Sequence, residues 1–292
     1  MVRQSARFSA SLTIPRGSAP GARTKGMGNR PMTSSMESLR FVFAEGADCH
    51  KSKEKSSGAP LQELASVRSL FFAKPGRSLG GVEKRLTSQA QLLDPAHPAD
   101  AQFVENVLWE DSHVVFVTLN MPGSNNDTLP WTGHFIDPAA QATGVAERTD
   151  ADIRWLQAAF ARAQARHAKA LVIGLQADMW DPAAVAPGAE GLYAHTPFVR
   201  KLAELSTQFR KPVLLLNGDS HGYGADRPLA DSLGATGKIH GTAPVPNLLR
   251  ITVQGSTNAP AEWLRLTIDP PDPNVFSWYN VPYCKDPLGS CQ

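Results

Sequence analysis

An α/β fold is predicted for this chain, and three observations carry the prediction. Runs of branched apolar residues at 113–119 (HVVFVTL), 168–176 (AKALVIGLQ) and 212–217 (PVLLLN) lack polar alternation, as strands do when both faces of a sheet are covered. Helical spacing of apolar residues separates them, at 151–167 and 196–209. Each apolar run also stops abruptly in a polar cluster. In α/β sheets the carboxyl ends of strands line the crevice where ligands bind.

The elements follow in order. LRFVFAE at 39–45 reads as a first, short strand. Leu61, Leu64, Val67 and Leu70/Phe71 recur at helical spacing and predict a helix over 61–72, stopped by AKPGRSLGG. Pro95 and Pro98 leave 86–102 irregular. FVENVLW at 103–109 predicts an outer strand, Glu110-Asp111-Ser112 a turn, and 113–119 a buried strand. GHFIDPAAQATGVAERTD has little period and reads as a loop, after which Asp150 caps a helix over 151–167. Ile153, Leu156, Ala159/Phe160 and Ala163 form its stripe, with Trp155 at the edge. LLRITVQGS at 248–256 and AEWLRLTID at 261–269 read as a pair of antiparallel edge strands, and PPDPNVFSWYNVPYC as an extended tail.

Charge divides the chain unevenly. Residues 1–40 carry seven Arg and Lys against one acid, Glu37, although the whole chain of 292 residues has a net charge of only +2. The rest therefore carries about −4, which argues against a nucleic-acid surface on the folded part. The Ser-, Gly-, Pro- and Arg-rich segment 1–40 reads as a disordered leader, an organellar-type presequence or a mis-assigned start. It has no apolar core of a signal peptide, and no run of 18 apolar residues predicts a transmembrane segment. One domain over 41–292 is the economical division. Cys49 has no obvious partner, while Cys284 and Cys291 are either a bridge in an exported protein or two unrelated surface thiols.

Chemistry is expected where the strand ends meet. Those clusters are Asn120 with Gly123-Ser124-Asn125-Asn126, then Gln176 with Asp178, then Asn217 with Asp219 and His221. Asp219 and His221 are separated by one small residue, a spacing that lets carboxylate and imidazole converge on one ion. The alternative is a turn capped by His221, with Asp226 as its partner. Asn125 and Asn126 suit either a phosphate-orienting pair or a plain turn after Pro-Gly-Ser. Trp155 and Trp180 line a pocket or pack in the core. Serine hydrolysis through Ser220 is disfavoured, because no Gly-x-Ser-x-Gly elbow is present and the adjacent Ser220 and His221 side chains diverge.

These residues carry a resemblance. GDSH at 218–221, followed by Tyr223 and Asp226-Arg227-Pro228-Leu229, is similar to the C-terminal metal loop of the calcineurin-like metallophosphoesterases. One divergent, mostly uncharacterised bacterial branch shows counterparts of ENVLW, LNMPGSNN, ERTDADIRWLQAAF, the QAD strand end and NVFSWY, so the resemblance spans about 46–281. It implies a β-sandwich flanked by helices (αββα), with its N-terminal strands incomplete. It also implies metal-dependent hydrolysis of a phosphoester by a hydroxide bridging two divalent ions. Carried over, His221 matches the last metal-binding histidine, Asp219 stands in place of another, and Gln176 ends the strand that usually offers a third. Asp219, His221 and Asn125 would then be the catalytic set, and His221, Asp219 and Gln176 the metal set. The ion would be Mn, Fe, Zn or Mg, with oxygen ligands favouring Mn or Mg.

The front of the family pattern is missing. Asp48-Cys49-His50 matches one triplet of the branch, but residues 1–44 contain no Asp and no His, so no Asp-x-His block precedes it. The resemblance therefore implies a truncated or mis-started phosphoesterase, or a degenerate homologue that binds metal or phosphate without turnover. The substrate expected is a small phosphate-bearing molecule, whether monoester, diester, nucleotide or phospholipid-derived group. The family's relatives are of the exported or periplasmic kind, and no compartment is assigned to this chain.

Overall fold

The computed structural model describes residues 10–13, 59–78, 83–92, 94–131, 136–255, 258 and 262–282. The predicted strand at 39–45, the Asp48-Cys49-His50 triplet and the three cysteines lie outside them. Of residues 1–40, β1 (Ala10–Thr13) is described, and it pairs in parallel with β9 (Glu262–Ile268).

A seven-stranded sheet organises the chain, in the order β2-β3-β4-β5-β6-β8-β7. Its centre is four parallel strands: β4 (Val114–Thr118), β5 (Ala170–Gly174), β6 (Val213–Asn217) and β8 (Leu248–Thr252). Every residue of β4, β5 and β6 is buried, which is why these strands read as unbroken apolar runs. Antiparallel strands flank them: β2 (Thr87–Ser88) and β3 (Val107–Asp111) on one side, β7 (Gly224–Asp226) on the other.

Alternation within each strand feeds two separate cores. Val115, Val117, Leu171, Ile173, Val213 and Leu215 pack beneath the helices α3 (Pro138–Ala165) and α4 (Thr196–Phe209). Their neighbours Val114, Phe116, Val172, Leu214 and Leu216 face β9 and β10 (Phe276–Pro282), meeting Leu264, Leu266, Ile268 and Phe276. A second sheet, β1-β9-β10, thus lies face to face with the first. The fold is α/β, as predicted. Among the described residues the two large helices pack on one outer face only.

Three expectations need correction. The hairpin turn between β3 and β4 is Ser112-His113, both with positive φ (48° and 62°), a two-residue primed turn matched to the twist of the strands. Helix α3 starts at Pro138, not 151. Asp137 accepts a bond from the Ala140 N–H (3.0 Å) and Pro138 takes the first helical position, a start signal as strong as that of Asp150. Its first turns bury Gln141, Arg148 and Thr149 rather than hydrophobes, so apolar spacing could not reveal them. Strands β8 and β9 are not a pair: β8 joins β6, and β9 pairs with β10, the segment read as a tail. By contrast α1 (Pro60–Phe71) and α4 fall where their spacing puts them.

Candidate functional site

The ends of β4, β5 and β6 do converge, through backbone as much as side chain. After β4 the chain passes Asn120, Met121 and Pro122 into α2 (Gly123–Asp127), a single turn that winds left-handed. Ser124, Asn125 and Asn126 have φ of 53°, 50° and 61°, and Asp127 one of 59°. Each non-glycine residue held there costs about 1–2 kcal/mol, least for Asn and Asp, whose short polar side chains bond locally. The surroundings hold the turn firmly. Arg148 Nη2 donates to the Asn126 carbonyl and Oδ1 (2.8 and 3.1 Å), and Asn126 Nδ2 donates to Thr149 Oγ1 (2.8 Å). The Ala194 N–H donates to Asn125 Oδ1 (2.9 Å), and Gln141 Nε2 to the Asp127 carbonyl (2.8 Å).

Gly123 is the contact between strand ends. Its N–H donates to Gln176 Oε1, and a Cβ at this position would overlap the Asp219 carboxylate. Gln176 Nε2 in turn donates to Asp219 Oδ1 (2.9 Å), while the Asp178 N–H reaches Asp219 Oδ2 (3.2 Å). The amide orientation of Gln176 is fixed by these partners: flipped, it would set NH2 against the Gly123 N–H and oxygen against a carboxylate. Asp178 is bound by Ser220 Oγ (2.8 Å) at one oxygen and by Arg250 Nη1 at the other. Arg250 continues to Asp226 in a two-point pair (2.8 and 2.9 Å) and stacks over Trp180, 5.3 Å from its centroid. Asp226 therefore partners Arg250 and not His221.

His221 stands apart from this cluster. It is exposed, has a φ of 62°, and gives its carbonyl to the Gly255 N–H (2.9 Å). Its ring lies against Gly255, where a Cβ would come within 2.5 Å of Nδ1. Asn125 is buried at α2, with its side-chain oxygen committed to Ala194. So Gln176 and Asp219 are brought together, whereas the contacts shown for His221 are with Gly255 and those for Asn125 with Ala194. Trp155 and Trp180 are core residues.

A metal centre requires lone pairs from several groups aimed at one point. Here Gln176 turns an N–H donor toward Asp219, and each Asp219 oxygen already accepts a bond. Among the described residues no group of three or more His, Cys, Asp or Glu lies together in a metal-binding arrangement.

Two features went unread in the sequence. His195, 1 % exposed, donates from Nε2 to the Pro122 carbonyl (3.0 Å), and its Nδ1 has no partner. Burial holds its pKa down at about 4. The second is a buried network behind β3 and β4. Asn106 Nδ2 donates to Gln89 Oε1 and Asp152 Oδ1 (both 2.8 Å), and its Oδ1 accepts the Asn120 N–H (2.8 Å). Asn120 Nδ2 reaches Glu105 (2.6 Å), which pairs with Arg68 of α1 (2.8 Å). Burial lifts Asp152 to a pKa of about 7, against the opposing bond from Asn106. Glu105 and Asn106 open the ENVLW block, and Arg148 and Asp152 lie in ERTDADIRWL; helical spacing of polar residues was the available signal.

None of the family models, curated proteins or solved structures compared with the chain matches it. Among the described residues no helix is long and apolar enough to cross a membrane. What stands is an α/β chain with a hydrogen-bonded polar cluster at the ends of its central parallel strands.

Proposed function

We propose that this chain is a relative of the calcineurin-like metallophosphoesterases that binds a phosphate-bearing ligand or a divalent ion at its strand ends without hydrolysing a phosphoester there. One observation carries the reading. The Gln176 amide bridges Gly123 and Asp219, so two of the groups a metal would need are spent on each other. An internally bonded cluster keeps its shape without an ion, and a metal would have to break charge-assisted bonds to enter.

Metal-dependent phosphoester hydrolysis is the second reading. It is favoured by Gly123, Gln176 and Asp219 meeting at three adjacent parallel strands, the place where such a fold carries its chemistry. In that reading Asp219, His221 and Gln176 bind Mn, Fe, Zn or Mg and Asn125 orients the phosphate.

The two readings separate in one experiment on the full chain and His221→Ala. Bound metal is measured after dialysis against Mn, inorganic phosphate binding by calorimetry, and turnover with an aryl phosphate and an aryl phosphodiester. Phosphate or Mn binding with no turnover supports the binding reading. Turnover lost in His221→Ala establishes the hydrolase, with ligands from outside the described residues. Neither binding nor turnover would reduce the resemblance to ancestry and sink both.

A further inference from the structure

Arg148 and Asp152 sit four residues apart on α3, so they share one helix face. Both are buried, and each has one polar atom without a hydrogen-bond partner: Arg148 Nε and Asp152 Oδ2. The Arg148 guanidinium instead reaches off the helix, holding the left-handed turn through Asn126. Asp152 takes its one side-chain bond from Asn106, and the Asn120 N–H also favours its ionised form.

The charged groups around the pair come from every neighbouring element. On Asp152, Arg148 acts as an attracting charge and Glu105 as a repelling one. On Arg148, Asp127 of α2 and Glu105 attract, while Arg68 of α1 repels. Asp100, bound to Arg154 of α3 (2.5 Å), meets the network through Gln89 (3.2 Å). No fixed cation is bonded to Asp152, so Arg148 is the partner an ionised Asp152 would recruit.

We propose that Asp152 and Arg148 are a proton-operated latch on the turn that follows β4. With Asp152 neutral, Arg148 has no competing acceptor on its own helix and clamps Asn126. When Asp152 gives its proton to solvent, a buried carboxylate is left with an empty acceptor site one helical turn from the unpartnered Nε. The guanidinium is drawn along α3 to it, the bonds to Asn126 are given up, and the strained residues 124–127 lose the restraint that Arg148 supplies. A turn held against its own conformational preference releases readily once its clamp moves. The raised proton affinity of Asp152, near pH 7, puts the transition close to neutrality.

Amide hydrogen exchange of a peptide spanning 119–129 tests this in the full chain, at pH 6 and pH 8, expressed as protection factors so that intrinsic exchange is removed. A group titrating near 7 goes from roughly one-tenth to nine-tenths ionised over that range, so protection should fall about tenfold. Asp152→Asn, which cannot ionise, should keep the pH 6 protection at both values. Arg148→Lys, lacking the guanidinium fork, should show weak protection at both. An unchanged wild-type peptide, or the wild-type fall persisting in Asp152→Asn, would overturn the latch. Should Asp152→Asn not fold, the carboxyl carbon resonance of Asp152 in the wild type decides the matter. Its midpoint must coincide with the loss of protection, and a mismatch refutes the proposal.

Discussion

Two polar clusters lie behind the ends of the central strands, one built on β5, β6 and β8 and the other on β3, β4 and α3. In the first, each oxygen of Asp178 and Asp219 accepts a hydrogen bond, and Arg250 joins Asp178 to Asp226. In the second, Asp152 and Arg148 are more deeply buried than Asp219 and Arg250, yet each keeps an atom without a partner. A buried charge whose bonds are complete resists change, while an incomplete one costs free energy and shifts its protonation instead. The first cluster is therefore a fixed scaffold, and the second is where pH should act.

The comparison breaks most visibly at Arg250. Arg250→Met leaves Asp178 and Asp226 without their shared cation, and Asp178 is buried. Removing one member of such a pair costs about 3–5 kcal/mol, which a denaturant titration at pH 7 would register as a large drop in midpoint. A loss below about 1 kcal/mol would show that the first cluster is no scaffold.

Asp152→Asn should act in the opposite direction and only over part of the pH range. Because the folded-state pKa is raised, from 3.8 to about 7, the Asp152 contribution is complete at low pH and is lost as pH rises between those values. The slope is about 1.4 kcal/mol per pH unit. His195 has the reverse sign: with its pKa lowered from 6.5 to about 4, its contribution is complete above 6.5 and is lost as pH falls toward 4. Between about 4 and 6.5 the two slopes oppose each other. Asp152→Asn should then be more stable than wild type at pH 8 and newly acid-sensitive below 6.5. Denaturation at half-unit pH steps measures both, and parallel curves for the two proteins would contradict the assignment.

Gly123→Ala sharpens the comparison at smaller cost. Its methyl group would overlap the Asp219 carboxylate, and the repacking should lower stability by about 1–3 kcal/mol. Smallest of all is His221→Ala. An exposed side chain outside both clusters should change the denaturant midpoint by no more than about 0.5 kcal/mol, and a larger change would place His221 inside the first cluster.

The central strands were legible in the sequence because burial on both faces selects runs of branched apolar residues, as at 171–173 in β5 and 213–216 in β6. Helix α4 was equally plain, since Phe198, Val199, Leu202 and Phe209 make one clean stripe. The amino-terminal half of α3 was not, because it buries polar side chains toward a polar network and so lacks the hydrophobic period that announces a helix. Pairing partners were also hidden: β8 and β9 each have strand composition, but only the packed sandwich shows that they belong to different sheets. At the site, the strand-end position of Gln176 and Asp219 could be read from where the apolar runs stop. That His221 lies against Gly255 could not, because it depends on positive φ at both Asp219 and His221. Nor could the Asp152 network, whose members are scattered from Gln89 to Asp152 and meet only when α3 docks beside β3 and β4.

Strand β1 adds a constraint on the order of assembly. Ala10 pairs with Leu264 and Thr13 with Thr267, so one of the shortest strands closes nearly the longest loop the chain can make. Loop closure over such a separation costs on the order of 5 kcal/mol in chain entropy before any contact is made, and only four residues offset it. The amino-terminal strand must therefore dock late, after β9 and β10 have packed on the central sheet. Until then the outer side of β9 is an open row of backbone donors and acceptors. That interval can open only once residue 268 has left the ribosome and closes when β1 docks, so newly completed chains, rather than the finished fold, are the setting in which this protein would pair with a second copy of itself.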